Sequence, residues 1–332
     1  MYDIFSSALP YLIIALSVLA LVLIASFVCF LLVFYSKKRT PPKEDEIPLP
    51  PGDVYEPFYP EMTKWVKDAR SLPHEDIKIK SRDGLTLTAK YYEYEKGGIL
   101  EILHHGYRGD AERDLAGGIE RCFALGRNVL LVDLRAHGAS DGRVISFGIK
   151  ERLDTLDWVN YAVERFGENT KIILTGVSMG AATVMMAAGE ELPASVVSVL
   201  ADCGFSSADE IIKKVIRDLH LPCALLSPFV KLGAKIFGGF KLEENSPMKA
   251  MNKIKIPIIF IHGDTDDFVP HDMSARLFEA CKSEKKRFVT ISGAGHGLAY
   301  PKDKDLYLNS LRSFEEECDG FPIHKPLTKS EK

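Results

Sequence analysis

The hydrophobic and polar positions divide the chain into three parts. From Ala8 to Tyr35 there is no charged residue, and leucine, isoleucine, valine, alanine and phenylalanine dominate. Residues 37–54 mix prolines with charges and have neither the period of a helix nor that of a strand. From Tyr55 onward, short apolar runs alternate with segments whose apolar residues recur every three or four positions. This last pattern predicts an α/β domain, with a mostly parallel sheet covered by helices on both faces.

The apolar run near the start is longer than the about 20 residues that cross a bilayer core. A secretory signal is the alternative, but the run is too long for one, no basic residue precedes it and no small-x-small site closes it. We therefore expect a retained membrane anchor in residues 1–36. Asp3 is the only charge before the run, whereas Lys37, Lys38 and Arg39 follow it, so the rest of the chain should face the cytoplasm.

Within the α/β part, periodicity predicts a succession of strands and helices. The first two strands alternate with period 2 and flank Ser81–Gly84, which predicts a hairpin. The alternation of strands and helices is interrupted between residues 204 and 247, which indicates an insertion. The predicted strands are 75–80, 85–92, 99–104, 128–133, 171–175, 195–202, 257–262 and 287–292, and the predicted helices include 61–72, 114–125, 151–166 and 301–317.

Composition and charge exclude several classes of protein. The 332 residues are 46% hydrophobic, enough for a substantial core. The net charge is −4 and no long basic block is present, so the chain has no general attraction to nucleic acid. Its six cysteines lie far apart, mostly inside apolar segments, which favours reduced core residues over a disulfide framework or a CxxC metal site.

One short motif is typical of nucleophilic catalysis. Gly176, Ser178 and Gly180 stand between an apolar strand and a run of helix-forming residues. A serine on such a strand-to-helix turn has a strained backbone, and its glycine neighbours lack the Cβ atoms that would collide there. The N–H of Met179, at the start of the helix, should then face any oxyanion that forms beside the hydroxyl. Glycine-flanked serines also occur in ordinary turns, so the motif needs partners.

Possible partners follow in the second half of the chain. Asp264, Asp266 and Asp267 lie in the loop after the strand predicted at 257–262. His296 lies between two glycines after the last predicted strand. The chain order serine, aspartate, histidine is that of α/β-hydrolases, whereas other serine hydrolase folds use other orders.

On these motifs the chain resembles the α/β-hydrolase superfamily, most closely its serine aminopeptidase and monoacylglycerol-lipase-like branch, over about residues 76–317. The resemblance implies an α/β-hydrolase fold, in which an eight-stranded, mostly parallel sheet carries helices on both faces and the insertion forms a small helical cap. It also implies a catalytic triad of Ser178, Asp266 and His296, since the pattern H-G-x-x-D-x-x-V-P places the acid at Asp266. Asp264 and Asp267 are then turn or capping residues.

Two further loops acquire a role from the resemblance. The loop after the third strand should supply the Tyr107 N–H as a second oxyanion donor beside that of Met179, with the tyrosine side chain free to vary. His105 should serve a hydrogen-bonded structural role, because His104 and His105 point to opposite faces of a strand and have no third metal ligand nearby.

The segment from Asp133 to Gly142 resembles the family loop D-x-R-G-H-G-x-S-x-G. Arg135 and His137 should brace the loops around the pocket by hydrogen bonds. Ala136 stands where the family usually has glycine, so the backbone of this loop should differ in detail.

The apolar insertion has two interpretations. It either packs onto the core, or part of it between Leu221 and Phe240 lines an acyl pocket or touches the membrane.

Together these observations predict a membrane-anchored serine hydrolase that cleaves a carboxylic ester or a related acyl bond. A peptidase or thioesterase with the same triad is the enzymatic alternative, and a non-catalytic binding protein on the same fold is the alternative from another class. No cofactor or metal is expected, and the partners are a small, apolar acyl substrate and the membrane, with no nucleic acid. The expected organisation is an anchor (1–36), a proline-rich charged stem (37–54), a hydrolase domain (55–318) with a cap insertion at about 204–247, and a polar tail (319–332).

Overall fold

A computed structural model describes residues 2–37 and 45–318 of the chain, with side chains from residue 9 onward. Lys38, Arg39, the first part of the predicted stem and the predicted tail lie outside the described residues. The strands are β1 (Glu75–Lys80), β2 (Thr86–Tyr92), β3 (Leu100–His104), β4 (Asn128–Asp133), β5 (Ile172–Val177), β6 (Val196–Asp202), β7 (Ile258–Gly263) and β8 (Lys286–Ile291).

All of these strands belong to one eight-stranded sheet in the order β1-β2-β4-β3-β5-β6-β7-β8. The β1–β2 and β2–β4 pairs are antiparallel, and every later pair is parallel. The central strand β3 is buried along its whole length, as expected of a parallel strand covered on both sides. The predicted hairpin and the predicted fold class are thus both confirmed.

The helices are α1 (Tyr2–Val33), α2 (Tyr59–Ser71), α3 (Ala111–Ala124), α4 (Glu151–Phe166), α5 (Met179–Ala188), α6 (Ala208–Asp218), α7 (Cys223–Gly233), α8 (Pro247–Ala250), α9 (His271–Ala280), α10 (Ala299–Lys302) and α11 (Lys304–Glu316). A 3₁₀ turn (Glu56–Phe58) precedes α2, and a π-helical turn (Ala234–Gly238) extends α7.

Capping side chains explain where two helices begin. The Asp110 carboxylate accepts a hydrogen bond from the Arg113 N–H at 2.8 Å, so α3 begins three residues before the helix predicted there. The helix predicted at 301–317 is divided into α10 and α11 at Asp303, whose backbone leaves the helical region. The Asp303 side chain then accepts from the Leu306 N–H at 2.9 Å and starts the second helix.

The two faces of the sheet hold separate apolar cores. Alternate residues of each strand point to opposite faces, so Ile102 lies in a core with Trp158 and Leu277, while Leu103 lies in a core with Trp65 and Phe314. Helices α4, α5, α8 and α9 contribute to the first core, and α2, α3, α10 and α11 to the second. Both layers hold the carboxyl ends of the parallel strands in place, where the loops form the site described below.

A third apolar core joins α1 to the insertion. Phe30, on the last turn of α1, and Phe34, directly after the helix, are buried among residues of α6, α7 and the segment around Phe147. The Phe34 ring, with no exposed surface, meets the rings of Phe147 and Phe240 edge to face. The insertion therefore packs against the end of α1.

Most side chains of α1 from Leu9 to Ala25 are exposed and apolar. Eighteen consecutive residues within Leu9–Val33 have a mean hydropathy of 3.0, and the whole 25-residue stretch is long enough to cross a membrane. A signal sequence near an N-terminus shares that length and composition.

Candidate active site

The turn between β5 and α5, residues 176–180, holds Ser178 in a strained conformation. Ser178 has φ +57° and ψ −115°, a region that residues with a side chain rarely adopt. A Cβ atom at Gly176 would overlap the backbone of Gly180, and one at Gly180 would overlap the carbonyl oxygen of His104. The two glycines thus let strand and helix approach closely enough to raise the serine above the sheet edge.

The structure brings the three predicted residues into hydrogen-bonding distance of one another. The Oγ of Ser178 lies 2.9 Å from Nε2 of His296, and Nδ1 of His296 lies 2.7 Å from Oδ2 of Asp266. Because a carboxylate only accepts hydrogen bonds, Nδ1 carries the proton and Nε2 is left to accept from the serine hydroxyl. Ser178 is only 6% exposed and Asp266 is buried, while the imidazole lies at the pocket surface.

The surroundings of Asp266 keep it ionised. Its Oδ1 accepts hydrogen bonds from the N–H groups of Phe268 at 2.9 Å and Val269 at 2.8 Å. Burial by itself raises the pKa of Asp266, but hydrogen bonds from His262 and His296 outweigh it and hold the pKa well below its usual value. A permanent negative charge therefore faces the imidazole of His296.

His262 is a site residue that sequence reasoning missed, since it was assigned only to the end of a strand. Its Nε2 lies 3.1 Å from Oδ2 of Asp266 and 2.9 Å from the carbonyl oxygen of Val269, and its Nδ1 lies 2.7 Å from Oγ of Ser274. Because the carbonyl can only accept, Nε2 carries the proton and donates toward the carboxylate. A histidine at the end of a fully buried strand, four residues before the predicted acid, was the available signal.

The other two aspartates of this loop lie apart from the imidazole contact. Asp264 accepts from the N–H of Gly293 at 2.6 Å and from the hydroxyl of Ser292 at 3.1 Å, so it ties the acid loop, residues 264–270 between β7 and α9, to the loop that carries His296. Asp267 is exposed and lines the pocket.

The predicted oxyanion donors belong to two segments next to Ser178. Tyr107 belongs to the loop between β3 and α3, residues 105–110, which passes beside the serine. Met179 is the first residue of α5, and the first N–H groups of a helix have no acceptor within it. Among the described residues, the Tyr107 N–H has no hydrogen-bond acceptor either.

Side chains from distant segments support the β3–α3 loop. Nε2 of His105 accepts from the N–H of Leu134 at 3.1 Å, which is the kind of structural bond predicted for this histidine. Nε2 of His137 accepts from the N–H of Arg108 at 3.0 Å, and its Nδ1 lies 2.8 Å from the carbonyl oxygen of Arg135. Arg108 needs such support, since its φ of +54° is unfavourable for a residue with a side chain.

The segment that carries His137 is itself anchored by a buried ion pair. Arg135 forms two parallel hydrogen bonds of 2.6 Å to the carboxylate of Asp154, and a further pair to Asp83. Ala136 adopts φ +63°, a conformation that suits glycine and that an alanine enters with strain.

A pocket of about 620 Å³ opens beside Ser178, within the size range of small-molecule sites. Its walls come from five segments: the chain before α2 with α2 itself, the β3–α3 loop with α3, the β5–α5 turn, the acid loop and the loop of His296. Val54, Met62 and Phe268 supply apolar surface, and Arg113 and Asp114 supply an ion pair at one side. In the described part of the chain, no residue of the 204–247 insertion lines this pocket, so of the two interpretations of the insertion the structure favours packing over an acyl pocket beside Ser178.

The side chains of Cys203, Asp266 and His296 lie close enough together to suggest a metal site. Burial, followed by the nearby carboxylates, raises the pKa of the Cys203 thiol well above its usual value, so the thiol is neutral and a poor ligand. Asp266 and His296 are already hydrogen-bonded to each other. This donor set fits a proton relay better than a cation.

Comparison with known proteins supports the fold. A model of the alpha/beta hydrolase fold matches residues 102–222, and a model of the serine hydrolase (FSH1) family matches residues 176–304. The two models together cover the β5–α5 turn, the acid loop and the loop of His296.

Among relatives, the uncharacterised protein YqkD of Bacillus subtilis is 32% identical over 191 residues, which is 57% of this chain and 62% of that protein. Protein bem46 of Schizosaccharomyces pombe is 27% identical over 68% of this chain and 72% of its own length. The structure of the Pyrococcus furiosus esterase Pf2001 superposes with a TM-score of 0.62 and 25% identity, over 76% of this chain and 96% of the esterase.

Proposed function

We propose that this member of the α/β-hydrolase superfamily is a membrane-anchored serine hydrolase that cleaves carboxylic esters through an acyl-enzyme. The observation that carries the proposal is the continuous hydrogen-bonded path from Ser178 Oγ through His296 to Asp266, at the wall of a pocket that admits a small molecule. The match to a serine hydrolase family model and the similarity to an esterase support it.

In the first step, Oγ of Ser178 forms a bond to the acyl carbonyl carbon while its proton moves to Nε2 of His296. The ionised Asp266 stabilises the imidazolium and keeps its Nδ1 proton in place. The carbonyl electrons move onto oxygen, and the N–H groups of Tyr107 and Met179 bind the resulting oxyanion. When the intermediate collapses, the bond to the leaving alcohol breaks and His296 returns the proton to that oxygen.

The acyl-enzyme is then hydrolysed by the same groups. Nε2 of His296 takes a proton from water as the water oxygen attacks the acyl carbon, and gives it back to Ser178 as the acid leaves. Every proton in this cycle passes through one imidazole, so the chemistry requires only the residues named. The leaving group enters only at the collapse step, so the panel described below separates ester, thioester and amide substrates.

The pocket favours an apolar acyl group. Val54, Met62 and Phe268 contribute apolar surface beside Ser178, and each methylene that becomes buried contributes about 0.8 kcal/mol. Because the insertion does not line the pocket, chain-length preference should depend on these three residues and not on Leu225 or Leu226.

We also propose that α1 is retained as the anchor, with the hydrolase domain on the cytoplasmic side. The buried Phe34 and the contacts of Phe30 with the insertion support retention, because removal of a signal peptide would expose the core that they fill. Lys37, Lys38 and Arg39 support the orientation. A tag after Lys332 should be protected from protease added to intact cells, and its digestion in unbroken cells would refute the orientation.

The experiment that tests the function is a substrate panel on the full-length protein in detergent. We expect p-nitrophenyl esters of medium chain length to be cleaved with a kcat/KM more than roughly tenfold above that of the acetyl ester. Phe268→Ala should reduce this ratio, whereas Leu225→Ala, an exposed position on α7, should leave it unchanged. Matched thioesters and aminoacyl amides complete the panel, and preference for either would replace the ester assignment.

A further inference from the structure

The last turn of α1 contacts the loop that carries the proposed oxyanion donor. The hydroxyl of Tyr107 donates to the carbonyl oxygen of Val33 at 2.6 Å. The guanidinium of Arg108 donates from Nη2 to the carbonyl oxygen of Leu32 at 2.7 Å. Both donors belong to the β3–α3 loop, and both acceptors are main-chain groups of the anchor helix.

These contacts are favourable for a general reason. The last four carbonyl groups of a helix have no partner within it, and they carry the negative end of the helix dipole. A cationic guanidinium and a hydroxyl therefore complete the end of α1. The Tyr107 ring is also stacked on Phe147, with centroids 4.9 Å apart, so its hydroxyl has little freedom to seek another acceptor.

The end of α1 is independently fixed from its other side. Gly233, at the end of α7, lies so close to Ser26 that a Cβ atom there would overlap the Ser26 carbonyl oxygen. An isolated β-bridge joins Tyr35 to Val144, and the Ser36 N–H donates to the carbonyl oxygen of Arg143 at 2.9 Å. The helix end is thus held between the insertion and the hydrolase domain, and a shift of the helix moves the acceptors of Tyr107 and Arg108.

We propose that the end of the anchor helix positions the oxyanion donor, so that the seating of α1 against α7 sets the rate of acyl transfer. Tyr107 and Arg108 are then positioning residues through their side chains, in addition to the backbone role proposed for Tyr107. The proposal rests on the proposed hydrolase function. It links α1 to the acyl-transfer step through the hydrogen bonds that Tyr107 and Arg108 donate to it.

The direct test is Tyr107→Phe in the full-length protein. This change removes the hydroxyl but keeps the ring and the backbone N–H. We expect kcat per active site to fall about threefold to tenfold, the range for loss of one hydrogen bond, with KM within twofold of wild type. The Ki of a trifluoromethyl ketone of matched chain length, whose adduct places an oxyanion in the same position, should rise by the same factor.

A second test acts from the anchor side without touching the loop. Gly233 has helical φ and ψ, so Gly233→Ala is compatible with its backbone but pushes α7 away from Ser26. It should reproduce the effect of Tyr107→Phe on kcat and on inhibitor binding. The double variant should lose less than the product of the two single losses, because both act on one contact.

Two matched controls accompany these variants. Tyr161→Phe removes a hydroxyl that accepts from Arg165 on the surface of α4, and Lys235→Ala changes an exposed residue two positions after Gly233. Both should retain wild-type kcat. Completed labelling with a fluorophosphonate counts active sites, so a loss of folded protein is separated from slower turnover.

The proposal is overturned if either test variant keeps wild-type kcat per labelled site, if the whole loss lies in the labelled fraction, or if the two losses multiply independently. An active wild-type enzyme with unaffected variants would refute only this inference. A wild-type protein that is neither labelled nor active would refute the proposed function as well.

Discussion

The two sides of the pocket are held in place by different means. The β5–α5 turn owes its shape to close contacts of main-chain atoms, in which Gly176 and Gly180 leave no room for a methyl group. The β3–α3 loop is held by a few hydrogen bonds to distant segments: Nε2 of His137 accepts from its main chain, and its own Tyr107 and Arg108 side chains donate to main-chain carbonyls of α1.

This difference separates what is fixed from what is adjustable. A turn defined by overlapping atoms is either formed or broken, because interiors are close-packed and deform little. For a loop held by a few hydrogen bonds, each bond lost shifts the equilibrium between the held and the displaced loop by about a factor of five. The serine side should therefore respond to substitution in an all-or-none way, and the oxyanion side in graded steps.

The largest effect is expected at the nucleophile. Ser178→Ala should lower kcat on the order of 10⁶-fold, because no other hydroxyl can take its place in the relay. A fluorophosphonate should no longer label the protein. Ser71→Ala, which removes a surface hydroxyl bonded to the carbonyl oxygen of Lys67, is the control and should be labelled normally. Undiminished labelling of the Ser178 variant would exclude it as the nucleophile.

Substitution of the aspartates in the acid loop should show which of them is the acid of the triad. Asp266→Asn should cut kcat by about 10⁴-fold, since the amide no longer fixes the imidazole tautomer. Asp264→Asn keeps an acceptor for the N–H of Gly293, so its kcat should fall by less than about tenfold. Steady-state kinetics at saturating ester measures both. If the Asp264 variant proved the more damaged, the assignment of the acid would be incorrect.

A single methyl group should test the rigid side. Gly180→Ala places a Cβ atom against the carbonyl oxygen of His104, so the turn must move. We expect a loss of about 10²-fold in kcat and about 1–3 kcal/mol in unfolding free energy. Urea denaturation and kinetics are measured together. Wild-type values for both would show that the turn yields more readily than close packing implies.

Asp202 lies under the same turn and should affect how the unfolding free energy depends on pH. Its carbonyl oxygen accepts from the Ser178 N–H, its Oδ2 accepts from the Tyr307 hydroxyl, and its Oδ1 is buried without a partner among the described residues. Burial raises the pKa of Asp202 from its ordinary 3.8 to about 6. The contribution of this group to the unfolding free energy is fully present below pH 3.8 and is lost as the pH rises through 6.

Asp202→Asn should remove that loss. Relative to wild type, its unfolding free energy should increase between pH 4 and pH 6 and stay higher above that range, by up to about 3 kcal/mol. Denaturant titrations at pH 4.0, 5.0, 6.0 and 8.0 measure the difference. A difference that is the same at all four values would show that the carboxyl does not titrate in this window.

The smallest effect is expected on the adjustable side. His137→Gln weakens one hydrogen bond to the Arg108 N–H and should lower kcat about threefold to tenfold with little change in KM. His74→Gln, at an exposed histidine far from the pocket, serves as the control. A loss as large as that of Gly180→Ala would mean that both sides are equally rigid, and the contrast between them would fail.

Local rules account for the parts of the molecule that the sequence predicted well. Strands buried on both faces are continuous apolar runs, and the spacing of Gly176, Ser178 and Gly180 reflects steric limits within five residues. The structure places Ser178, Asp266 and His296 together as expected, and their catalytic roles remain a prediction. The division of the last helix at Asp303 could not be predicted, because an aspartate is as compatible with the exposed surface of a continuous helix as with a cap.

Contacts between distant segments account for what the sequence did not predict. The Tyr107 side chain was expected to be free to vary, yet its hydroxyl binds Val33, more than seventy positions away. Val54 was assigned to a stem but lines the pocket, and the apolar insertion packs against α1 instead. Periodicity describes how a segment meets a core, and it does not say which segment covers which opening.

The position of Val54 and its neighbours Pro50 and Pro51 in the pocket wall has a consequence for processing. A protease that cut the chain just before Tyr55 would break the covalent link between α1 and the domain and at the same time open one side of the pocket. The cleaved domain would not be equivalent to the parent protein, because part of its pocket wall would no longer be attached to it. On the proposed function, cleavage there would therefore change substrate preference together with the covalent link to the membrane.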